Sequence, residues 1–166
     1  MKVVRKQKNS KSCLVCGVYN PAGLKAPFYE MDDGSVVTLF EYKAIHQSYP
    51  GRAHGGMITC MLDELAGRVI WVGKPEENPP LAVTSSIKVK FRRPVPYDEQ
   101  LVGVGKMKIE NSRGYTAVAE IRDKQGKVLA QAEVTYVKLP ANVITSSDMV
   151  EELDEFIPDD VTEIDI

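Results

Sequence analysis

HGGMITCMLDELAGRVIWV, residues 54–72, is the stretch of the 166-residue chain that decides its fold. It is the one long run in which apolar residues recur with the 3.6-residue period of an α-helix. Most of the remaining chain has the character of β-strands. One apolar helix among many strands predicts an α+β fold in which a sheet curves around the helix. The apolar stripe of the helix consists of Ile58, Met61, Leu62, Leu65 and Val69.

Two adjacent acids on this helix have different surroundings on a helical wheel. Glu64 precedes Arg68 by one turn, which is the favourable order for an ion pair, so we expect a solvated salt bridge there. Such a pair contributes only about 0.3–0.5 kcal/mol, so Glu64→Gln should be mild. Asp63 has no basic residue three or four positions away. It is either a surface acid or, if a second subunit covers its face of the helix, a shielded general base.

The start of the helix, His54-Gly55-Gly56, is poor helix-forming sequence. Glycine lets the backbone come close to a ligand. Free N–H groups at a helix start, at the positive end of the helix dipole, also suit a developing oxyanion. A simple turn before the helix explains the same residues, and both interpretations stay open at this point.

The string HGGMITCMLDELAGR, preceded by HQSYPGRA, resembles the central helix of hotdog-fold acyl-CoA thioesterases of the PaaI-like branch. The shared pattern is HGG, six residues and then aspartate, and the resemblance covers roughly residues 13–139. It implies the hotdog fold, a curved antiparallel sheet wrapped around one long central helix. It also implies a homodimer, or a tetramer of dimers, with sites at the subunit interface.

The resemblance assigns roles to individual residues. Asp63 matches the carboxylate that acts as nucleophile or activates water, and Gly55 matches the oxyanion donor, with Gly56 supporting the turn. We predict that His54 is a substrate-binding residue. Thr84 matches a hydroxyl that the partner subunit supplies to position water, and its place on the polar face of its strand agrees. A threonine at the edge of the core is the alternative interpretation.

The chain departs from the family pattern at one position. Some relatives have an asparagine six residues before the HGG histidine, to hold the thioester or water. Here that residue is Ser48, and the adjacent Gln47 is a second candidate for the role. Arg92 and Arg93 fit a contact with CoA phosphates, because guanidinium groups pair well with phosphate. Solvated arginines at a strand end are the alternative.

The rest of the chain supplies the predicted strands, which begin at 36–42, just before the loop at 46–53. Residues 82–92 alternate between an apolar face and a polar face that carries Thr84 and basic residues. The order is therefore one strand, the long helix and four antiparallel strands. The last three strands are predicted at 101–109, 115–122 and 128–139.

Length and composition predict a single domain at 1–141, followed by an acidic tail at 142–166. Residues 147–166 hold nine of the 23 acidic side chains and no basic one, so the rest of the chain carries 14 acids against 21 bases. The excess of basic side chains in residues 1–146 suits an anionic ligand such as CoA. We interpret the tail as a mobile, solubilising segment that can be removed without loss of fold, with Ser147 capping a short helix from Asp148 to Phe156.

The sequence disfavours membranes and nucleic acids as partners. No apolar run approaches a membrane span, and no basic stripe with interleaved aromatic residues indicates nucleic-acid binding. The N-terminus lacks an apolar signal core, so we expect a cytoplasmic location.

The motif CLVCG at 13–17 is half of a zinc knuckle. A zinc site needs about four ligands, and the other candidates, His46, His54 and Cys60, lack the usual spacing. The longer string CLVCGVYNPAGLK resembles an N-terminal signature of PaaI-like thioesterases, where a structural turn is the better interpretation. Three cysteines do not make a disulfide framework. We therefore predict no metal and no cofactor.

These observations lead to the hypothesis of a hydrolase that cleaves acyl-CoA thioesters to free acid and CoA. The alternative is a non-catalytic acyl-CoA-binding module that uses the same pocket, but such a module does not need Asp63. A hotdog dehydratase is disfavoured, because its resemblance would place a glutamate one turn into the helix, near Cys60.

Overall fold

The computed structural model describes residues 1–145 and 149–166. Its seven strands form one antiparallel sheet in the order β1-β2-β3-β5-β6-β7-β4. The strands are β1 Val3–Gln7, β2 Phe28–Met31, β3 Val36–Phe40, β4 Ala82–Phe91, β5 Leu101–Glu110, β6 Gly114–Arg122 and β7 Val128–Lys138. The helices are α1 Gly55–Arg68, α2 Ala141–Ile144 and α3 Met149–Glu152, with 3-10 turns at Ala44–His46 and Val69–Trp71. Within these residues, no helix is long and apolar enough to cross a membrane.

Helix α1 packs against the sheet, chiefly against β5, β6 and β7. All five residues of its predicted apolar stripe are buried, and full burial of each such side chain contributes about 1.5–3 kcal/mol. Two glycines of β5 permit the close approach of the helix. A Cβ atom at Gly105 would lie 2.8 Å from the main-chain oxygen of Leu65, and one at Gly103 would lie 2.9 Å from its side chain. The predicted arrangement of one long helix against an antiparallel sheet is confirmed.

Two strands were not predicted, because the first strand was expected only at residue 36. Strands β1 and β2 pair with each other and extend the sheet beyond β3. The sequence of β1, VVRKQ, gives no clear alternation, and β2 has only four residues, all buried. Neither segment is long enough for a period of two to stand out.

A β-bulge in β4 changes the face on which Thr84 lies. Thr84 is opposite Tyr136 of β7 and Ile87 is opposite Val134, with a register shift between Thr84 and Ser86. Tyr136 and Val134 are two residues apart and share a face of β7, so Thr84 and Ile87 share a face of β4. The prediction that Thr84 lies on the face opposite Ile87 is therefore wrong. The extra residue of the bulge re-aims the threonine toward α1.

The acidic C-terminal segment packs along the N-terminal strand and does not extend into solvent. Backbone hydrogen bonds join Val3 to Thr162 and Asn9 to Glu155. The side chain of Ile164 is buried in a cluster with residues of β2, β3 and β5. The prediction of a mobile tail is wrong, because acids of the tail pair with the basic residues that surround β1. These ion pairs are Lys6–Asp159, Lys8–Asp154 and Lys11–Glu151.

The predicted helix cap at Ser147 and helix start at Asp148 lie outside the described residues. The described part of that helix, α3, ends at Glu152 and so stops before the predicted end at Phe156.

Candidate active site

A cavity of about 370 Å³ lies beside the C-terminal half of α1, within the range usual for small-molecule sites. Asp63 and Glu64 border it from the helix, Thr84 from β4, Tyr115 from β6 and Tyr136 from β7. The N-terminal loop, α2 and α3 border it as well. We call it the Asp63 cavity.

The half-buried carboxylate of Asp63 is held by two hydroxyl groups. Its Oδ1 accepts a hydrogen bond from Thr84 Oγ1 at 2.8 Å and from the Tyr136 hydroxyl at 3.0 Å. The Tyr136 hydroxyl also lies 2.6 Å from the main-chain oxygen of Asp63. No group in the described residues donates to Oδ2. One oxygen is therefore fixed, and the other can take a proton from a bound water.

Tyr136 joins the candidate site although the sequence did not predict it. Burial raises its pKa well above the usual value for tyrosine, and the nearby charge of Asp63 raises that pKa further. The ring is stacked on Tyr115, with centroids 4.6 Å apart. Tyr115 donates its hydroxyl proton to the main-chain oxygen of Gly67 at 2.9 Å. Tyr136 thus stays protonated and shares its one proton between the main-chain oxygen and Oδ1 of Asp63.

Thr84 and Asp63 meet within one chain. The resemblance implied that a partner subunit supplies this hydroxyl, but the bulge in β4 already brings it to Asp63 of the same chain.

The ion pair of Glu64 with Arg68 is present, but it is not a solvated pair. Glu64 Oε1 accepts from Arg68 Nε at 2.9 Å, and the arginine side chain is only 2% exposed. Its guanidinium lies 4.6 Å from the ring centroid of Phe28 and 4.7 Å from that of Trp71, and Nη1 donates to Lys8 O at 2.6 Å. The predicted exposure is wrong because residues distant in sequence cover this side of the helix.

The CLVCG motif lies on the Glu64 side of the cavity. It forms the predicted turn, in which Gly17 N–H donates to Cys13 O at 2.9 Å. Cys13 Sγ lies 3.8 Å from Glu64 Oε2. A hydrogen bond with Cys16 lowers the pKa of Cys13 to about 7, against the effect of burial. The same hydrogen bond, together with burial, raises the pKa of Cys16.

The start of α1 faces a different surface depression, an open groove of about 470 Å³. His54 caps the helix, because its Nδ1 accepts from Gly56 N–H at 2.9 Å. In the described part of the chain, no group accepts from Gly55 N–H. Gly55, Arg92 and Arg93 all border this groove, which we call the Gly55 groove.

The other predicted substrate-binding residues lie in the loop before the helix. Gln47 forms an isolated backbone bridge with Ala53, and Ser48 N–H donates to Arg52 O at 2.9 Å. Both side chains are exposed, next to Tyr49 at the edge of the Gly55 groove.

Asp63 and Gly55 do not meet within one chain. They are eight residues apart on one helix, which corresponds to about 12 Å along its axis. They also border different depressions, Asp63 the cavity and Gly55 the groove. The two groups that the sequence assigns to one reaction are therefore on separate parts of the chain's surface.

Residues 50–130 match the family model described as "Thioesterase superfamily". Over these residues the chain is similar to the thioesterase superfamily. Among curated proteins no match was found.

Three solved structures illustrate the similarity of this fold to known proteins. A thioesterase superfamily protein is 28% identical, with a TM-score of 0.68, over 75% of this chain and 59% of that one. The E. coli PaaI protein from the phenylacetic acid degradation operon is 19% identical, with a TM-score of 0.62, over 70% of this chain and 81% of that one. A hypothetical thioesterase from Streptococcus pneumoniae TIGR4, solved with coenzyme A, is 20% identical, with a TM-score of 0.59, over 68% and 84%. The match thus spans 59% of the first relative's length. The predicted hotdog fold is confirmed.

The predicted site residues therefore form two groups. Asp63 and Thr84 come together in the Asp63 cavity, where Tyr136 joins them. Gly55, Arg92 and Arg93 come together in the Gly55 groove. The sequence carried one available signal for Tyr136. An inward-facing tyrosine on β7 needs a partner for its hydroxyl when it is buried.

Proposed function

We propose that the protein hydrolyses acyl-CoA thioesters to the free acid and CoA, with Asp63 as general base or nucleophile and Gly55 N–H as oxyanion donor. The observation that carries the proposal is the state of the Asp63 carboxylate. Thr84 and Tyr136 hold its Oδ1, and no described donor occupies its Oδ2. A carboxylate held in this way by neutral donors, and beside a cavity, is suited to accept a proton.

In the general-base route, Asp63 activates a water molecule. Asp63 Oδ2 takes a proton from water as the water oxygen attacks the thioester carbonyl carbon. The oxyanion that forms accepts a hydrogen bond from Gly55 N–H and is stabilised by the positive end of α1. The C–S bond then breaks, the acid is released, and the proton held by Asp63 passes to the CoA thiolate. In the nucleophile route Asp63 attacks the carbonyl carbon, and the C–S bond breaks to release the CoA thiolate. Water then hydrolyses the resulting anhydride to the free acid and the Asp63 carboxylate, and the proton lost by the water passes to the thiolate.

Either route requires Gly55 and Asp63 in one site, so we propose a homodimer in which the Gly55 groove of one chain meets the Asp63 cavity of its partner. Strand β4 ends the sheet, with β7 on one side and no strand among the described residues on the other. Its Phe91 is 56% exposed and borders the Gly55 groove. A free edge with exposed apolar side chains favours pairing with a second copy. Further assembly into a tetramer of dimers is compatible with this interface.

The ligand we propose is CoA-linked. Arg92 and Arg93 flank Gly55, where their guanidinium groups can contact phosphates. Gln47 and Ser48, at the rim beside His54 and Gly56, are proposed to hold the thioester or the attacking water. The neighbour from Streptococcus pneumoniae solved with coenzyme A supports this ligand class. The proposal includes a cytoplasmic location and no nucleic-acid or membrane partner.

A panel of short, long and aryl acyl-CoAs, assayed by detection of the free thiol, tests the proposal. We expect turnover with at least one class of acyl-CoA, and a fall in kcat of at least about a hundredfold in Asp63→Asn, the usual scale for loss of a general base. Asp32→Asn, which changes an exposed acid that borders neither depression, is the matched control.

Two outcomes would contradict the proposal. A folded Asp63→Asn protein with near-normal turnover would show that this carboxylate is not the base or nucleophile. Saturable binding of acyl-CoA by the wild type without thiol release from any member of the panel would favour the non-catalytic binding module.

A further inference from the structure

We propose that Cys13, Cys16 and Glu64 bind a zinc ion on the wall of the Asp63 cavity. One ligand atom of each residue, two sulfurs and a carboxylate oxygen, lies within 4.8 Å of the other two. Zinc bonds of about 2.3 Å to sulfur and about 2.0–2.2 Å to oxygen place tetrahedral ligand atoms roughly 3.5–3.8 Å apart. Cys13 Sγ and Glu64 Oε2 are already 3.8 Å apart. Small side-chain rotations are enough to complete the geometry.

The loop that carries the two cysteines has the form of a metal-binding knuckle. Val15 N–H points at Cys13 Sγ, 3.3 Å away, which suits a sulfur that carries negative charge. Gly17 passes so close to Cys13 that a Cβ atom there would lie 2.3 Å from Cys13 O. The buried side chain of Asn9 donates to Cys16 O at 2.7 Å and to Ala26 O at 3.0 Å. Asn9 therefore fixes the loop by hydrogen bonds, as residues outside the ligand set do in known metal sites.

Charge also balances around a bound zinc ion. Two thiolates and one carboxylate carry three negative charges, and zinc with the guanidinium of Arg68 carries three positive ones. Arg68 borders the same cavity, and its Nη2 is buried without a partner in the described part of the chain. A metal-bound thiolate would offer such a donor an acceptor. Binding transfers the two thiol protons to solvent.

The donor set selects the metal. Two thiolates and one carboxylate favour zinc over magnesium or calcium, which prefer oxygen ligands only. The histidine nearest to the N-terminal loop does not compete as a ligand, because His46 accepts from Lys43 N–H through Nδ1 and lies 2.9 Å from Ala22 O through Nε2. Three protein ligands leave the fourth position for water on the cavity side. The prediction of no metal is revised by this proposal, because the third ligand is Glu64 and not a histidine or Cys60.

The first test is the metal content of the full-length protein, expressed in zinc-supplemented medium and dialysed. We expect about one zinc per chain in the wild type and in Cys60→Ser, a matched control outside the cluster, and below about a tenth in Cys13→Ser and Cys16→Ser. In Glu64→Gln we expect an affinity at least about tenfold weaker, because two thiolates remain. Circular dichroism identifies any variant that has misfolded, and the more exposed Cys13 provides the decisive variant.

Cobalt provides an independent readout. Titration of the metal-free protein should produce a thiolate-to-cobalt charge-transfer band in the wild type and in Cys60→Ser, and none in folded Cys13→Ser. A wild type that takes up neither zinc nor cobalt would overturn the proposal. Equal metal content in Cys13→Ser and the wild type, or a Cys13–Cys16 disulfide in protein kept under reductant, would do so as well. None of these readouts depends on thioester hydrolysis.

Discussion

Asp63 and Glu64 are neighbours on α1 and border one cavity, yet they have opposite kinds of partner. Asp63 faces neutral hydroxyls from β4 and β7, and one of its oxygens has no described donor. Glu64 faces a buried guanidinium, and its other oxygen lies near Cys13. The difference supports the proposal that the two acids have different roles. An acid without a cation keeps a free oxygen for chemistry, while an acid with a buried cation holds the fold together.

Deletion of residues 149–166 is expected to have the largest effect, and to act on the Glu64 side of the cavity, which Glu152 and Leu153 border. We expect the free energy of unfolding to fall by at least about 3 kcal/mol. Burial of Ile164 alone accounts for about 1.5–3 kcal/mol, and the ion pair of Lys6 with Asp159 is lost too. Urea denaturation measures the change. Ile164→Ala should lower the free energy of unfolding by about half as much as the deletion. An unchanged urea midpoint in the deletion variant would show that the segment is dispensable, as the sequence predicted.

Glu64→Gln is expected to destabilise the protein by about 2–3 kcal/mol, which reverses the prediction of a mild effect. Removing one partner of a buried ion pair costs about 3–5 kcal/mol, and the cost is reduced here because the Glu64 side chain is 25% exposed. Urea denaturation in the presence of a chelator isolates this contribution from any metal. Glu41→Gln, in an exposed pair with Lys43, is the control and should change stability by at most about 0.5 kcal/mol. Loss of turnover in a stable Glu64→Gln protein, with turnover kept in Asp63→Asn, would mean that the roles of the two acids are reversed.

Tyr136→Phe tests the hydrogen bond to the Asp63 carboxylate. It removes the buried donor to Asp63 and should lower kcat about tenfold, equivalent to about 1.4 kcal/mol. Tyr115→Phe is the matched control, because Tyr115 belongs to the same ring stack but donates to Gly67. Steady-state kinetics on the best acyl-CoA decides the matter. Equal losses in both variants would assign the effect to packing of the rings.

Thr84→Val should give the smallest effect, about a threefold fall in kcat. Thr84 is exposed, so water can replace its hydroxyl as a donor to Asp63. Thr84→Ser, which keeps the hydroxyl, should retain wild-type kcat in the same assay. A loss in Thr84→Val as large as that in Asp63→Asn would show that the threonine takes a direct part in the chemistry.

The ends of the chain show where sequence reasoning fell short although the signal was present. The N-terminus is basic and the C-terminal segment is acidic, but no contact between the two was predicted. Complementary charge at two chain ends predicts contact between them, as the pairs of Lys6 with Asp159 and Lys8 with Asp154 demonstrate.

The sequence by itself determined the parts of the protein that depend on local order. The stripe from Ile58 to Val69 specified the helix, and the alternating segments after it specified four strands. The HGG motif with Asp63 indicated the similarity to thioesterases, which the match over residues 50–130 supports. These signals are local because helix and strand periods repeat within a few residues.

Only the tertiary structure decided what surrounds each acid. Tyr136 reaches Asp63 from 73 residues away, and a bulge in β4 turns Thr84 to the same carboxylate. Arg68 is buried because Phe28 and Trp71 cover it, which a helical wheel cannot show. Burial and hydrogen-bond partners depend on strand register and on packing between distant segments, and no periodicity within one segment encodes them.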